Sequence, residues 1–304
     1  MLNAASRVVQ KAVEIDADIY HFHDPEFLTK APSLRKKTGK AVIYDAHEDV
    51  RLDILDKDWI PRLLRPLVAR LTGYIEDWAV SRISAVIAAT PTIEKRLAAA
   101  KCTALVQNYP KTNELWSSEK ERREAPEKDV FAYVGGITEI RGIEVMLRAF
   151  QKQTDGKLVL AGNWQPASLR ERIVPDNADW LIERGFINRD EVGRLLKDSL
   201  AGLLIYQDVA NHVTSQPTKL FEYLSAGVAV IASDFPHWRK IIEENGCGKV
   251  VPPHDANALA ETITWMGRQW IVDGLPDSTV THSAQFANEI YLLGYEVPTE
   301  RQPG

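Results

Sequence analysis

Cysteine is scarce: two residues, Cys102 and Cys247, in a chain of 304. They stand far apart and without metal-ligand spacing, which speaks against a disulfide framework or a cysteine-built zinc site and suits a reducing compartment. No apolar run reaches the ~20 residues that a membrane-crossing helix needs. The first residues, Met1 to Arg7, lack the apolar core of a secretory signal. A surplus of positive charge is missing too. Asp and Glu number 42 against 37 Lys and Arg, a formal net charge of −5, which argues against a dedicated nucleic-acid binder. The expected location is therefore cytoplasmic. What is present is ordinary for a globular protein, 45% hydrophobic and 26% charged residues, and the length leaves room for two domains.

Hydrophobic periodicity places strands and helices in alternation. An amphipathic helix runs from about Ser6 to Ile15, then a strand from Asp18 to His23, the turn Asp24-Pro25 and a second helix up to Gly39. Ala41 to Asp45 and Ser84 to Ala89 are further strands; Thr90 caps a helix that opens with Pro91, and Ala104 to Gln107 is a short fourth strand. The charged run Ser117 to Asp129 reads as a linker. A second array follows, with strands at Val130–Val134, Lys157–Ala161 and Ala201–Ile205 and a helix at Glu191–Asp198 behind Asn188. This alternation predicts an α/β protein with two Rossmann-like, doubly wound parallel sheets. The expected domains are 1–125, 126–268 and a tail 269–304 with an uneven apolar pattern from Thr281 to Tyr295.

One stretch stands out, Gln216 to Asp234. Pro217 suits a first helical turn, and Leu220, Phe221 and Leu224 make an apolar face. Gly227 ends the helix in a left-handed cap, and Val228 to Ala232 is a buried strand. Glu222 sits mid-helix among apolar neighbours, where a carboxylate needs a partner. Either a structural ion pair or the hydroxyls of a ligand meet that need.

Two other segments carry chemistry. From Trp59 to Ile83, Arg62, Arg65 and Arg70 interleave with leucines at helical spacing. That pattern fits contact with an anionic membrane surface, or a domain helix with a solvated basic face whose charge Glu76 and Asp77 dilute. His21 and His23 alternate around Phe22 and so share a face. With Asp24 they have the residue types of a metal site but no further ligand, so hydrogen bonding or packing is the expectation and no metal is assigned.

The stretch with Pro217, Lys219, Glu222, Tyr223 and Gly227 resembles the donor-site signature of retaining glycosyltransferase family 4, which has the GT-B fold. Phe131 to Ile143, with Gly135-Gly136 and Arg141-Gly142, resembles the family's loop where the second domain begins. His47 after a strand resembles its active-site histidine. The resemblance covers roughly residues 18–266. It implies transfer of a sugar, hexose-like, from a nucleotide diphosphate donor to a glycan or lipid-linked acceptor, with retention, in cell-surface polysaccharide biosynthesis. It further implies that Glu222 holds the ribose hydroxyls, that Gly135, Gly136 and Arg141 meet the diphosphate with Lys219 as a second cation, and that His47 serves the acceptor side. Thr214 stands where the family carries a glutamate near the transferred sugar. No metal cofactor is implied. The strands that open the first domain in the family have no counterpart here, so the first domain is expected to be incomplete, with an exposed edge that a partner chain completes. The rival readings are a truncated, non-catalytic nucleotide-sugar-binding or scaffold subunit, and a nucleotide-sugar epimerase. A dinucleotide oxidoreductase is disfavoured, because Gly135-Gly136 and Gly142 lack the three-glycine spacing for pyrophosphate.

Overall fold

A computed structural model describes residues 2–57, 59–110, 115, 129–152 and 156–273. The chain forms two compact units, Met1–Asn108 and Tyr109–Gly304. The sequence puts the boundary near residue 125; Tyr109 and Leu115 instead pack against the core of the second unit. The linker at 116–128 and the tail beyond 273 lie outside the described residues.

In the first unit, helix α1 (Leu2–Ile15) leads into strand β1 (Ile19–Phe22), and α2 (Ala31–Thr38) into β2 (Ala41–Ala46). Helices α3 (Val50–Leu55) and α4 (Arg65–Val80) precede β3 (Ala85–Ala88), followed by α5 (Pro91–Arg96) and β4 (Thr103–Leu105). The four strands are parallel, in the order β1-β2-β3-β4. A groove of about 930 Å³ runs along α1 and the β1 edge, lined by Val8, Ala12, Tyr20 and Phe22. Gly39, at φ +69°, ends α2 in the left-handed cap that glycine adopts without strain. Thr90 accepts a bond from the Ile93 amide and caps α5, as its sequence foretells.

Arg70 of α4 is exposed, as a solvated basic face requires, but the helix also has a buried side that carries an acid. Its inward side carries Ala69, Gly73, Glu76, Ala79 and Val80, all buried. Glu76 binds Arg96 through two bonds of 2.5 and 2.8 Å, and Arg96 also lies 3.2 Å from Asp49, the capping residue of α3. Gly73 leaves the space that the Arg51 side chain crosses to reach Asp77, at 3.0 Å. Glu76 thus belongs to the inner face, and Asp77, part-exposed, lies at its margin; each is paired with its own arginine. The outward side is lined by leucines and aromatics.

The second unit holds β5 (Val130–Val134), a 3-10 turn (Glu139–Arg141), α6 (Ile143–Lys152), β6 (Lys157–Ala161), α7 (Ser168–Ile173), β7 (Leu181–Gly185) and α8 (Arg189–Asp198). Then come β8 (Ala201–Leu204), α9 (Ala210–Val213), α10 (Thr218–Ser225), β9 (Ala229–Ser233), α11 (Pro236–Glu243), β10 (Gly248–Val251) and α12 (Ala256–Asp273). The six strands are parallel, in the order β10-β9-β8-β5-β6-β7. Alternate strand residues feed two cores. Phe131, Tyr133, Leu158 and Leu203 meet α6 and α12 on one face, and Ala132, Val134, Leu204 and Val230 meet α10 and α11 on the other. A sheet covered on both faces needs the near-continuous apolar strands that the sequence shows. The strand β7 has no counterpart in the sequence reading; three of its residues are exposed, so it lacks the apolar signature of a central strand.

Candidate functional site

The chain starts the second sheet at β5, builds outward to β7, then returns with β8 to the other side of β5. The reversal makes β5/β8 a topological switch point, where loops at the carboxyl ends of the strands diverge and leave room for a ligand. Gly135 and Gly136 follow β5 directly, and Tyr206-Gln207 follow β8.

Three devices fix the loop after β5. The Tyr133 hydroxyl donates to the Gly136 carbonyl at 2.6 Å, and Arg141 Nη1 donates to the same oxygen at 3.3 Å. Thr138 accepts from the Arg141 amide, and Gly142, at φ +73°, closes the turn where a Cβ would lie 1.7 Å from the Ile205 carbonyl. A Cβ on Gly162 would lie 1.8 Å from the Gly135 carbonyl, so glycine there lets β6 pass close beneath the loop. Burial pushes the Tyr133 and Tyr206 phenols above their ordinary range, which keeps both neutral. Arg141 lies over the Tyr206 ring at 5.9 Å.

Helix α10 is placed by Tyr223. Its hydroxyl accepts from the Val134 amide at 3.1 Å, and Gly202 admits its ring, since a Cβ there would sit 2.4 Å from it. Pro217 is the cap rather than the first helical residue: its extended backbone (ψ 129°) leaves Thr218 to begin the helix. Trp238 Nε1 donates to the Ser215 carbonyl at 2.9 Å and ties the entering loop to α11. Gly227 ends α10 at φ +68°, as its sequence foretells.

Glu222 is 5% exposed. It accepts from Lys219 Nζ and from Arg189 Nη1, each at 2.8 Å. The ion-pair reading of this carboxylate therefore holds in the structure, with Lys219 as one partner. An ideal Cβ on Gly135 would be 3.6 Å from Lys219 Cε and 3.8 Å from Arg141 Nη1, so Gly135, Gly136, Arg141, Lys219 and Glu222 converge. Thr214 does not join by any hydrogen bond of its own: exposed at the end of α9, its hydroxyl donates to the Ala210 carbonyl at 3.4 Å.

Arg189 escapes the sequence reading. It is the first residue of α8, behind a capping box between Asn188 and Glu191. A cation in a first helical turn opposes the helix dipole. That break of a local rule is the signal that marks it.

In the first unit, parallel register sets a second group. His21 lies opposite Ile43, so His21, His23, Asp45 and His47 project on one side of the β1–β2 pair and the turn after it. Asp45 lies 3.2 Å from His21, 3.5 Å from His23 and 3.4 Å from His47, and His23 Nδ1 is 2.9 Å from His47 Nε2. The carboxylate partner is thus Asp45 rather than the Asp24 that adjacency suggests, because the strand pairing brings Asp45 alongside. Donor atoms of His21, His23 and Asp45 lie within 4.8 Å of one another, a set whose chemistry suits a zinc-class ion as well as proton sharing.

Residues 128–268 match the family model of glycosyl transferases group 1. No curated protein sequence matches the chain. Among solved structures, sucrose-phosphate synthase from Thermosynechococcus elongatus is similar at 18% identity and TM-score 0.72, over 96% of this chain and 74% of that one. Anabaena HepE, in complex with UDP-glucose, is similar at 15% identity and TM-score 0.65, over 94% and 77%. WaaG, a glycosyltransferase involved in lipopolysaccharide biosynthesis, is similar at 13% identity and TM-score 0.63, over 86% and 78%. The chain has the α/β fold with parallel sheets of the GT-B glycosyltransferases. The matched segment supports a transferase.

Proposed function

We propose that the chain transfers a hexose from a nucleoside diphosphate sugar to a glycan or lipid-linked acceptor, with retention, in the synthesis of a cell-surface polysaccharide. The observation that carries this reading is the convergence of a glycine loop, Arg141, Lys219 and buried Glu222 at the β5/β8 switch point, inside the matched segment 128–268. The Glu222 carboxylate has acceptor positions for a ribose diol. Arg189 fixes the carboxylate. The guanidinium of Arg141 presents a planar fork to phosphate oxygens. Lys219 turns from Glu222 toward the diphosphate as the ribose hydroxyls take its place.

Transfer breaks the bond between the sugar's anomeric carbon and a diphosphate oxygen and makes one to the acceptor oxygen. Charge builds on the departing diphosphate, and fixed cations favour that state over the ground state. The acceptor hydroxyl's proton passes to the departing diphosphate oxygen as the new bond forms; His47, held by Asp45 and His23, serves the acceptor. With two cations at the diphosphate, the reaction needs no metal. The neighbour in complex with UDP-glucose supports a nucleotide-sugar donor, and the lipopolysaccharide enzyme supports a cell-surface product. The enzyme works in the cytoplasm, at the inner face of the membrane.

Calorimetric titration with UDP and GDP, on the wild type and on Glu222→Gln, tests the donor site. Saturable binding of one nucleotide, lost in the variant, supports the reading; binding of neither by the folded protein overturns it. Turnover of the matching nucleotide sugar, with the product anomer read by NMR, then separates the enzyme from a binding-only subunit, the second reading that Thr214 favours.

A further inference from the structure

The face of the first unit from Trp59 to Arg82 is used by none of this chemistry. Trp59 is 79% exposed, Leu63 94% and Leu67 65%, and Leu71, Tyr74 and Trp78 are exposed as well. Leu67, Leu71, Tyr74 and Trp78 follow at spacings of four, three and four, one outward stripe along α4. Folded proteins seldom leave such a contiguous apolar strip in water.

The charge beside the strip has one sign. Arg62, Arg70 and Arg82 are exposed, whereas Glu76 is fully buried against Arg96 and Asp77 pairs with Arg51. Arg65 is turned back, donating to the carbonyls of Ile60 and Leu55, and shapes the turn that presents Leu63. The chain as a whole carries −5, yet between residues 59 and 82 no carboxylate belongs to an exposed residue. Arg82 lies 5.0 Å from the Trp78 ring and Arg70 5.9 Å from the Tyr74 ring, so cations and aromatic rings sit together. Rings of this kind favour the headgroup level of a bilayer, and arginines beside them meet lipid phosphates.

From this placement we infer that the Trp59–Arg82 face docks the protein on an anionic lipid surface. Trp59, Leu63, Leu67 and Leu71 enter the boundary between headgroups and acyl chains, and Arg62, Arg70 and Arg82 bind the phosphates. A second copy of the chain fits this face less well, because it would bring arginines to arginines, and the one part-exposed carboxylate between residues 59 and 82, Asp77, is already paired with Arg51. The inference deepens the proposed location at the membrane but rests on exposure and charge alone, and stands whether or not the donor site binds nucleotide.

Flotation of the full chain with vesicles is the test. Wild type is expected to float with phosphatidylcholine vesicles containing about one-third phosphatidylglycerol, less so at high salt and weakly with phosphatidylcholine alone. Leu63→Ser combined with Leu67→Ser is expected to lower partitioning at least about tenfold. Both residues are exposed, so the unfolding midpoint of this variant should match wild type. Wild type that stays unbound to anionic vesicles overturns the inference, as does a variant that floats equally well. Sedimentation showing a wild-type dimer that the variant dissolves, without vesicle binding, assigns the face to a second copy instead.

Discussion

Replacing Arg189 by alanine tests whether the donor site is a unit of three charges rather than a pair. Glu222 is held by two cations at 2.8 Å, one from its own helix and one from α8. A hydrogen bond to a charged partner is worth roughly 1.5–3 kcal/mol when desolvated. The Arg189 side chain is 38% exposed, so solvent screens its end of the bond, and about 1–2 kcal/mol is the reasonable share. If that energy fixes Glu222 for a ribose, nucleotide affinity falls about 5- to 30-fold. Titration calorimetry with whichever of UDP or GDP the wild type binds reads this directly. Arg189→Lys is expected to recover part of the loss, because an ammonium keeps the charge without the planar fork. A urea midpoint taken in parallel separates stability from binding. Unchanged or tighter nucleotide binding in folded Arg189→Ala would refute the reasoning, and would make Arg189 a competitor of the ligand for Glu222.

Three more outcomes follow from the geometry. Arg96→Ala should destabilise the first unit by about 3–5 kcal/mol, since it leaves fully buried Glu76 without its bidentate partner; denaturant unfolding followed by tryptophan fluorescence reads this, and a loss below about 1 kcal/mol would contradict a buried pair. Gly162→Ala should push the Gly135 loop away, because the added Cβ meets the Gly135 carbonyl at 1.8 Å; nucleotide affinity then falls more than it does for an alanine at Gly185, where a Cβ would meet nothing within 4 Å. Chelator should leave transfer intact. Added Zn²⁺ should inhibit it by occupying His21, His23 and Asp45 and drawing off His47; His23→Ala should relieve that inhibition, and an equal response in that variant would place the metal effect elsewhere.

Much of this molecule was written locally. Buried parallel strands read as continuous apolar runs, and Gly39, Gly142 and Gly227 mark left-handed turns that other residues adopt at a cost. Thr90 and Asn188 announce helix starts because a side-chain oxygen must satisfy amides that the helix cannot. Glu222 stands out in the sequence as a carboxylate mid-helix among apolar neighbours, whereas Arg141 and Lys219 are singled out by the family resemblance. Tertiary structure alone decided the partners. Glu222 meets Arg189 from a helix 33 positions earlier in the chain, Asp45 joins His21 through strand register, and Glu76 finds Arg96 inside rather than water outside. Sequence spacing orders side chains along one element, but distances between elements are set by packing, and electrostatic partnership depends on distance and burial. The same reason separates the two readings of α4: its composition names leucines and arginines, and only the packing of α4 shows which of them face out.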